Sequence, residues 1–485
     1  MSSLRPRSRT RWIATLVIAL TLAGLARALL LWAHDPLYAY ANSYDQTRYS
    51  ACFSIYPDRP ADIAPEQNSP QAPFEHFRFI TTDDPMCYWS SELVIVALTA
   101  TAWHLDEWLG GDALHSVRVA GALKLTLLLL VSTGFTLAFY RRGRHLAALA
   151  NTALLAVLFA DPGNTLYLNT FYAEWTSLLG AYALLGLLAL WHAEPGNRWR
   201  FLAILIVAVA LATSKIQHIV LPLSLAIALL VLHRWQRGTV GWRAVALLCG
   251  ALFGAFAQVV QLQRESTMID SIRQYNRAGV VLTALLPFAD DPRGLLAEIG
   301  VDPDCAQYSG KRAWQLPGMP ARTCAGVERF GYLTQLRVLL TRPQISWNLA
   351  RHGIAALNPW VAENIGQVEG EDLGEIPPSM VTLGTPLQRW PALQGVVLSL
   401  PLAGLLALFA RRRSLARERA LEFTASILIV MIATLGITLL GDGLADTAKQ
   451  GHLVVNAALA WLVIVLVGAA AKASRLIDPE LADQA

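Results

Sequence analysis

Long apolar runs recur along this chain and constrain its fold more than any other feature. A run of about 20 apolar residues can cross the hydrocarbon core of a bilayer as a single α-helix. The composition agrees, because only 15% of the 485 residues are charged, whereas about 25% are charged in typical soluble domains. We therefore expect an all-α polytopic membrane protein. The ten predicted spans are residues 12–33, 117–140, 146–160, 173–192, 201–214, 216–233, 243–263, 392–410, 420–440 and 453–471.

Basic residues stand in short clusters between these runs and predict the orientation of the chain. Lys and Arg are enriched in the cytoplasmic loops of membrane proteins. Placing every basic cluster on the cytoplasmic side puts both termini in the cytoplasm. The net charge of +4 is small and gives no reason to expect a nucleic-acid partner. The first run is too long for the core of a signal peptide, so it predicts an uncleaved signal anchor. The main clusters are Arg5–Arg11, Arg141–His145, Arg198–Arg200, His233–Arg243, Arg411–Arg413 and Lys472–Arg475.

The apolar segment Leu93–Leu105 is a test of this orientation. If it crossed the membrane, the basic cluster Arg141–His145 would lie on the outer side. The segment is also short for a span and is followed directly by Asp106 and Glu107. We therefore predict an amphipathic helix that lies on the outer membrane interface.

Two large outer segments follow from the predicted spans. The first is the loop 34–116, which belongs to an N-terminal transmembrane module, residues 1–263. The second is an outer loop domain, residues 264–391. The C-terminal transmembrane helices and a cytoplasmic tail make up residues 392–485.

The cysteines favour this placement of the loops. Cys52 and Cys87 fall in the first outer loop, Cys305 and Cys324 fall in the second, and Cys249 lies within a span. Cysteines on an oxidising side of a membrane commonly form disulfides. The pair Cys305–Cys324 is preferred, with Cys52–Cys87 next, although unpaired cysteines and other connectivities remain open at this level.

Asp45 is the first candidate catalytic residue, because it lies just outside the first predicted span. A carboxylate at the mouth of a membrane cavity can take a proton from an incoming hydroxyl group. The same residue also fits an exposed loop aspartate that is merely solvated. Residue chemistry alone does not separate these two interpretations.

The segment Asp45-Gln46-Thr47-Arg48-Tyr49 resembles the Asp-Glu-x-x-Tyr element of the GT-C glycosyltransferases, whose members use polyprenyl-phosphate sugars. Similar features follow in the same order over about the first 240 residues. Gly110-Gly111 precedes Arg118, which resembles the arginine that opens the second span of that superfamily. Ala212-Thr213-Ser214-Lys215 resembles the Thr-Lys ending of an outward-going span.

This resemblance implies a GT-C-like fold with interfacial helices and a periplasmic loop domain, in the bacterial inner membrane. It also implies that Asp45 is the catalytic base. Gln46 stands where the family has Glu, which puts a metal-binding role there in doubt. No metal ligand is assigned, and a divalent cation is the one cofactor left open. The loop Asp290–Gly310 is similar to a loop of bacterial membrane proteins labelled glycan biosynthesis hexose transferases.

Two further acidic residues are candidates for the site. Asp161 marks the predicted outer turn before the fourth span, and Glu174 opens the apolar run of that span. An ionisable group at such a depth usually faces a cavity or a partner. Glu174 is therefore predicted to orient the sugar or to support Asp45, and Asp161 to help hold the sugar. The alternative is an ordinary turn within an interfacial aromatic belt.

Cations near the outer ends of the spans are candidates for binding the donor phosphate. Fixed cations in a site of low dielectric stabilise the charge that develops on a leaving phosphate. The alternative is that long cationic side chains snorkel to water or to lipid headgroups. The candidates are Arg118, Lys124, Lys215, Arg351, His352 and Lys449.

The second outer segment is predicted to cover the site. A helix is expected from Gly331 to Asn358, because apolar residues alternate there with Arg337, Arg342 and Arg351. Such a helix can pack on the outer membrane surface and roof a cavity. The stretch Asp442–His452 could close the site from the far side.

These features together predict a GT-C type glycosyltransferase that moves a hexosyl or pentosyl group. The donor would be a polyprenyl-phosphate sugar, and the acceptor a cell-envelope glycan or lipid on the periplasmic side, with inversion at the anomeric carbon. A surface-polysaccharide polymerase or ligase is one alternative, and it would use Arg and His of the large outer loop. A transporter or flippase is another, and its charges would line a path through the membrane.

Overall fold

The computed structural model describes residues 5–40, 43–58, 74–83, 86–192, 194–235, 241–264, 266–357, 365–366, 382–412 and 414–477. Asn358, the predicted end of the outer helix, lies outside these residues. The helices are α1 (Arg5–Trp32), α2 (Ser43–Ser50), α3 (Leu93–Trp108), α4 (Arg118–Arg141), α5 (His145–Leu154), α6 (Pro162–Thr165), α7 (Ala173–Leu190), α8 (Arg198–Ser214), α9 (Val220–Trp235), α10 (Trp242–Arg264), α11 (Ser266–Gly279), α12 (Pro292–Ile299), α13 (Pro320–Thr323), α14 (Tyr332–Thr341), α15 (Pro343–Ala355), α16 (Gly384–Arg389), α17 (Pro391–Phe409), α18 (Leu415–Gly441), α19 (Thr447–Gln450) and α20 (His452–Ile477). The strands are β1 (Ala39–Tyr40), β2 (Ile55–Pro57), β3 (His76–Phe79), β4 (His115–Ser116) and β5 (Ile365–Gly366).

The prediction of an all-α polytopic membrane protein is confirmed. All ten predicted spans are helical, and eight helical segments of the described chain are long and apolar enough to cross a membrane. The other two, α8 and the helix His145–Phe159 that extends α5, are shorter than the eight. The eight are Trp12–Trp32, Arg118–Arg141, Ala173–Leu190, Ile216–Arg234, Trp242–Arg264, Pro391–Phe409, Leu415–Gly441 and His452–Ala473.

Polar side chains at the centre of the bundle are satisfied by one another. Asn151 on α5 donates to the backbone carbonyl of Ser132 on α4 at 2.9 Å and accepts a hydrogen bond from the Tyr182 hydroxyl on α7 at 2.7 Å. A buried amide without such partners would cost free energy in an apolar medium. The network therefore fixes how these three helices pack.

Arginines gather at one end of the bundle. Arg144 donates to the last carbonyls of α7, including that of Leu190 at 3.0 Å. On the same end, Arg243 and His192 both contact the buried carboxylate of Glu422. We call this end the arginine end. The start of α7, the loop between α18 and α20, and helix α2 of the first outer segment meet at the opposite end.

The first outer segment is a small mixed unit. Strands β2, β3 and β4 form an antiparallel sheet in that order, and Cys52 is joined to Cys87 in a disulfide. The predicted helix over residues 93–105 is α3, in which Val96 and Trp103 are buried while other apolar side chains stay exposed. Its location at a membrane interface stays a prediction.

The second outer segment has its own apolar core around the disulfide Cys305–Cys324. The prediction of one continuous helix from Gly331 is wrong, because α14 ends at Thr341 and α15 begins at Pro343. Proline lacks a backbone N–H and disfavours a helical conformation in the residue before it. Arg342 accordingly adopts φ −125° and ψ 76° between the two helices.

Candidate functional site

A network of ion pairs connects the first outer segment to the loop between α18 and α20. Lys449, on the short helix α19, forms an ion pair with Asp45 on α2. Its ammonium group also lies 3.1 Å from the carboxylate of Asp446, and the other oxygen of Asp45 lies 2.8 Å from the guanidinium of Arg48. One lysine therefore joins two carboxylates from distant parts of the chain.

A second ion pair lies beside the first. Glu174, in the first turn of α7, contacts Lys215, which follows the last residue of α8. Lys215 also donates to the side chain of Gln450 at 3.2 Å, and Gln450 is the neighbour of Lys449. Lys215 lies within electrostatic reach of Asp45 as well. We call these six residues the charged cluster: Asp45, Arg48, Glu174, Lys215, Asp446 and Lys449.

Local backbone structure explains why these side chains lie at the helix ends. Tyr172 is in an extended conformation and α7 begins after it, which places Glu174 in the first turn, where a negative charge is favourable. Lys215 is also extended, with φ −145° and ψ 153°, so the chain breaks between α8 and the short turn that precedes α9. This break separates the predicted span 201–214 from the predicted span 216–233.

The charged cluster is mostly buried, which strengthens its electrostatic interactions. The side chains of Glu174, Lys449 and Asp45 are 1%, 7% and 16% exposed. Burial alone would raise the pKa of Asp45, but Arg48 and Lys449 hold it below its usual value. Burial would lower the pKa of Lys449, but Asp446 and Asp45 raise it well above its usual value. Both groups are therefore charged at neutral pH.

The loop between α18 and α20 contains two carboxyl groups whose pKa values are raised, in contrast to that of Asp45. Burial raises the pKa of Asp446, although Lys449 opposes this effect. Burial and the neighbouring Asp446 raise the pKa of Asp442 to about 8. Asp442 therefore holds a proton at neutral pH, and a further negative charge in the site would favour protonation of Asp446 too.

Aromatic and neutral groups complete the surroundings of the cluster. The ammonium group of Lys449 lies 5.1 Å from the ring centre of Tyr172, a distance at which a cation is attracted to the ring face. His452 shares a hydrogen bond of 3.1 Å with the backbone carbonyl of Glu174 and so holds the start of α20 against the start of α7.

Lys124 lies next to the charged cluster but has its own partner. It forms an ion pair of 2.8 Å with Glu92, and both side chains are 0% exposed. It also donates to the backbone carbonyl of Thr170 at 2.7 Å, and Glu92 accepts a hydrogen bond from Thr176. Lys124 therefore joins α4 to α7 and to the start of α3.

Arg118 and Asp161 are placed outside the charged cluster. Arg118 contacts both oxygens of Glu75, at 2.7 and 3.2 Å, and donates to the carbonyl of Trp32 at 3.0 Å. Asp161 caps α6, forms an ion pair of 2.9 Å with Arg27 and accepts a hydrogen bond from the backbone N–H of Leu383 at 2.9 Å. These contacts tie the outer segments to the bundle.

The predicted pair Arg351 and His352 lies on the exposed side of α15. The His352 ring packs against Phe288 with ring centres 4.7 Å apart, and its Nδ1 atom lies 2.8 Å from the carbonyl of Asn348. The structure brings Asp45, Glu174, Lys215 and Lys449 together.

Four residues of these contacts were not among the predicted site residues: Arg48, Asp446, Gln450 and Glu92. Asp446 precedes Lys449 by three residues on a short helix, a spacing that places two side chains on one face and could have indicated the pair. The contact between Lys124 and Glu92 has no signal of this kind. Among the described residues, no group of three or more His, Cys, Asp or Glu side chains is arranged to hold a metal ion.

Comparison with known proteins provides one match. Neither the curated proteins nor the solved structures contain a match to the chain. A family model described as the YfdI N-terminal transmembrane domain matches residues 36–323, which is more than half of the chain. The matched range contains Asp45, Glu174 and Lys215 and ends before Lys449. The chain therefore belongs to the family of the YfdI N-terminal transmembrane domain.

Proposed function

We propose that this protein is a membrane glycosyltransferase that transfers a sugar from a polyprenyl-phosphate carrier to a cell-envelope glycan or lipid acceptor. The observation that carries this proposal is the charged cluster. It combines a carboxylate that can accept a proton with cations that can bind a phosphate, and it lies at the ends of apolar helices of the bundle.

Asp45 is the general base in this proposal. The acceptor hydroxyl attacks the anomeric carbon of the donor sugar, and its proton passes to the Asp45 carboxylate. The bond between that carbon and the phosphate oxygen breaks, and its electron pair leaves with the phosphate. A single displacement of this kind inverts the configuration at the anomeric carbon.

Lys449 and Arg48 stabilise the leaving phosphate. In the structure these cations are the partners of Asp45 and keep its pKa low. When a donor phosphate pairs with Lys449 and Arg48, Asp45 stays buried but is no longer paired with these two cations. Its pKa then rises, because burial is the largest influence on it, and the carboxylate becomes a stronger base. Donor binding thus prepares the base.

Glu174 and Lys215 form the second half of the site. Lys215 adds a positive charge near Asp45, and Glu174 keeps it in place through their ion pair. The carboxylate of Glu174 can accept hydrogen bonds from sugar hydroxyl groups. Asp446, whose pKa is raised by burial, can take up a proton when the anionic donor enters, which limits the accumulation of negative charge.

The arrangement of charges supports a periplasmic site. The charged cluster lies at the end of the bundle opposite the arginine end, and lysine and arginine mark the cytoplasmic side of bacterial inner-membrane proteins. A transporter would need charges along a path through the bundle, whereas the predicted site residues that meet here gather at one end. The Arg and His pair that a polymerase or ligase would use lies on the exposed side of α15.

Purified full-length protein and an Asp45→Asn variant test this proposal. Both are incubated with a panel of polyprenyl-phosphate sugars and membrane glycan acceptors, and sugar transfer is measured. We expect transfer by the wild type and a loss of at least about 100-fold in Asp45→Asn, the effect of removing a general base. The matched control is Asp304→Asn, which removes an exposed carboxylate that lies 3.4 Å from Arg293 in the second outer segment.

Each result has a clear meaning. Transfer that falls in Asp45→Asn but not in Asp304→Asn supports both the reaction class and the base. Transfer that survives in Asp45→Asn at the wild-type rate refutes the role of Asp45 and directs attention to Glu174. Absence of transfer by the wild type across the whole panel counts against the proposal and favours the polymerase and transporter alternatives.

A further inference from the structure

A cavity inside the helix bundle, separate from the charged cluster, indicates a second site. The cavity has a volume of about 580 Å³ and lies among α4, α5, α7, α17, α18 and α20. Its wall is mainly apolar and includes Phe139, Leu154, Leu185, Ile427 and Ala457. Cavities of this size are large enough for a small ligand or part of a larger one. Nothing in the proposed reaction uses it.

The cavity extends over more than one half of the thickness of the hydrocarbon core of a bilayer. Along α20 its wall runs from Leu453 to Val465, which is about 18 Å of helix. Half of the hydrocarbon core of a bilayer is about 15 Å thick. The cavity can therefore hold an acyl chain that enters from one membrane surface.

The end of the cavity near the charged cluster is closed. Asn456 lines the cavity there and exchanges two hydrogen bonds with Asn164, at 2.7 and 3.0 Å. It also donates to the carbonyl of His452, one helical turn closer to the charged cluster. At the other end, the wall residues Ala407 and Val465 are exposed, so the cavity opens toward the arginine end.

Three arginines stand at this opening. Arg144, Arg411 and Arg419 all line the cavity. The Nε atom of Arg419 is buried and has no hydrogen-bond partner within the described part of the chain. Burial and the positive charge of Arg419 lower the pKa of Arg144, so these two guanidinium groups lie within electrostatic reach of each other.

Two acidic groups near the opening already have basic partners. Glu422 lines the cavity, but it is paired with Arg243 and His192. Glu194 attracts Arg144, but its carboxylate is shared with Arg142 at 3.3 Å and Arg200 at 2.8 Å. The opening therefore carries an excess of positive charge above an apolar cavity.

From this combination we propose that the cavity binds an anionic phospholipid of the surrounding membrane. One acyl chain lies in the apolar cavity, and the phosphate of the headgroup lies among Arg144, Arg411 and Arg419. Charge complementarity selects the anionic headgroup, and the depth of the cavity selects a lipid chain over a free phosphate. The site is separate from the charged cluster and does not depend on the reaction proposed above.

Lipid binding to the purified full-length protein tests the proposal. The detergent-solubilised protein is incubated with equal amounts of phosphatidylglycerol and phosphatidylcholine that carry the same chains, and bound lipid is counted by native mass spectrometry. We expect one phosphatidylglycerol to be retained in preference to phosphatidylcholine. Arg419→Gln and Arg144→Gln should each weaken this retention about fivefold, and Ala460→Trp, which fills the cavity, should abolish it.

Matched controls distinguish this site from general attraction to basic residues. Arg198→Gln removes an exposed arginine at the same end that does not line the cavity, and it should leave retention unchanged. Glycerol 3-phosphate, which has the headgroup charge but no chain, should not displace the lipid.

Three results would overturn the proposal. Equal retention of the two phospholipids would show that charge does not select the lipid. An equal loss in Arg198→Gln and Arg419→Gln would show attraction to the whole surface. Displacement of phosphatidylglycerol by an equimolar amount of undecaprenyl phosphate would assign the cavity to the carrier lipid instead.

Discussion

The ion pair between Lys449 and Asp45 allows a quantitative test of the site. An opposite charge at this range lowers the pKa of a carboxyl group by about 1 to 3 units, and each unit corresponds to about 1.4 kcal/mol. Both side chains are largely buried, at 7% and 16% exposed, so solvent screens the pair only in part. Replacing Lys449 by Gln should therefore raise the pKa of Asp45 by about 1 to 3 units.

The consequence can be seen in the pH dependence of sugar transfer. The free enzyme needs Asp45 ionised, and kcat/KM reports the pKa values of the free enzyme. In the wild type, the pKa of Asp45 is below its usual value, so kcat/KM should fall only at strongly acidic pH. In Lys449→Gln this acidic limb should move up by about 1 to 3 pH units. At neutral pH the variant should also lose about ten- to a hundredfold in kcat/KM, because a charge-assisted contact to the phosphate is gone.

Controls separate this effect from damage to the fold. Lys311→Gln removes an exposed lysine of the second outer segment and should leave the pH profile unchanged. Infrared difference spectra can follow protonation of Asp45 directly in Lys449→Gln, even if the variant is inactive, with Asp45→Asn used to assign the carboxyl band. An acidic limb and a carboxyl band that stay at their wild-type positions would refute the reasoning.

Three further predictions concern stability and are measured on the purified protein in detergent, by unfolding for the first and third and by proteolysis for the second. Lys124→Met should destabilise the protein by about 3 to 5 kcal/mol, because it leaves the Glu92 carboxylate buried without its partner. Adding Glu92→Met should restore much of this loss. A double variant as unstable as Lys124→Met would contradict the prediction. Replacing Cys305 and Cys324 by Ser should cost about 3 kcal/mol for a loop of 19 residues, seen as easier proteolysis of the second outer segment than in the wild type; equal resistance would count against it. The raised pKa of Asp442, about 8, means that the contribution of this group to stability declines as pH rises from about 4, the unfolded value, to about 8. Asp442→Asn should therefore gain most over the wild type at pH 8 and above, and parallel profiles of the two proteins would refute the assignment.

Local sequence information was enough to predict the spans. Whether a segment can cross a bilayer depends on its length and apolar content, which are properties of neighbouring residues. All ten predicted segments are helical for this reason, and the two that are shorter than the other eight are the third, His145–Phe159, and the fifth, α8. The break at Arg342-Pro343 was equally local, and the error there came from reading apolar content without the effect of proline.

The two disulfide pairs could be predicted for a related reason. The predicted topology placed two cysteines in each outer segment, and pairing within each segment was the preferred prediction. The structure joins Cys52 to Cys87 and Cys305 to Cys324, separated by 35 and 19 residues. The roles of Asp45 and the other site residues remain predictions, because the comparisons identify the family and not the reaction.

Only the tertiary structure decides which charges meet. Lys449 and Asp45 are 404 residues apart, and no spacing rule connects them. In the sequence, no feature distinguishes three cations that lie near the ends of apolar runs: Lys124, Lys215 and Arg118. In the fold Lys124 is neutralised by Glu92, Arg118 by Glu75, and Lys215 lies in the charged cluster. The physical reason is that a span is determined by its own residues, whereas the partner of a buried charge is determined by how the helices pack.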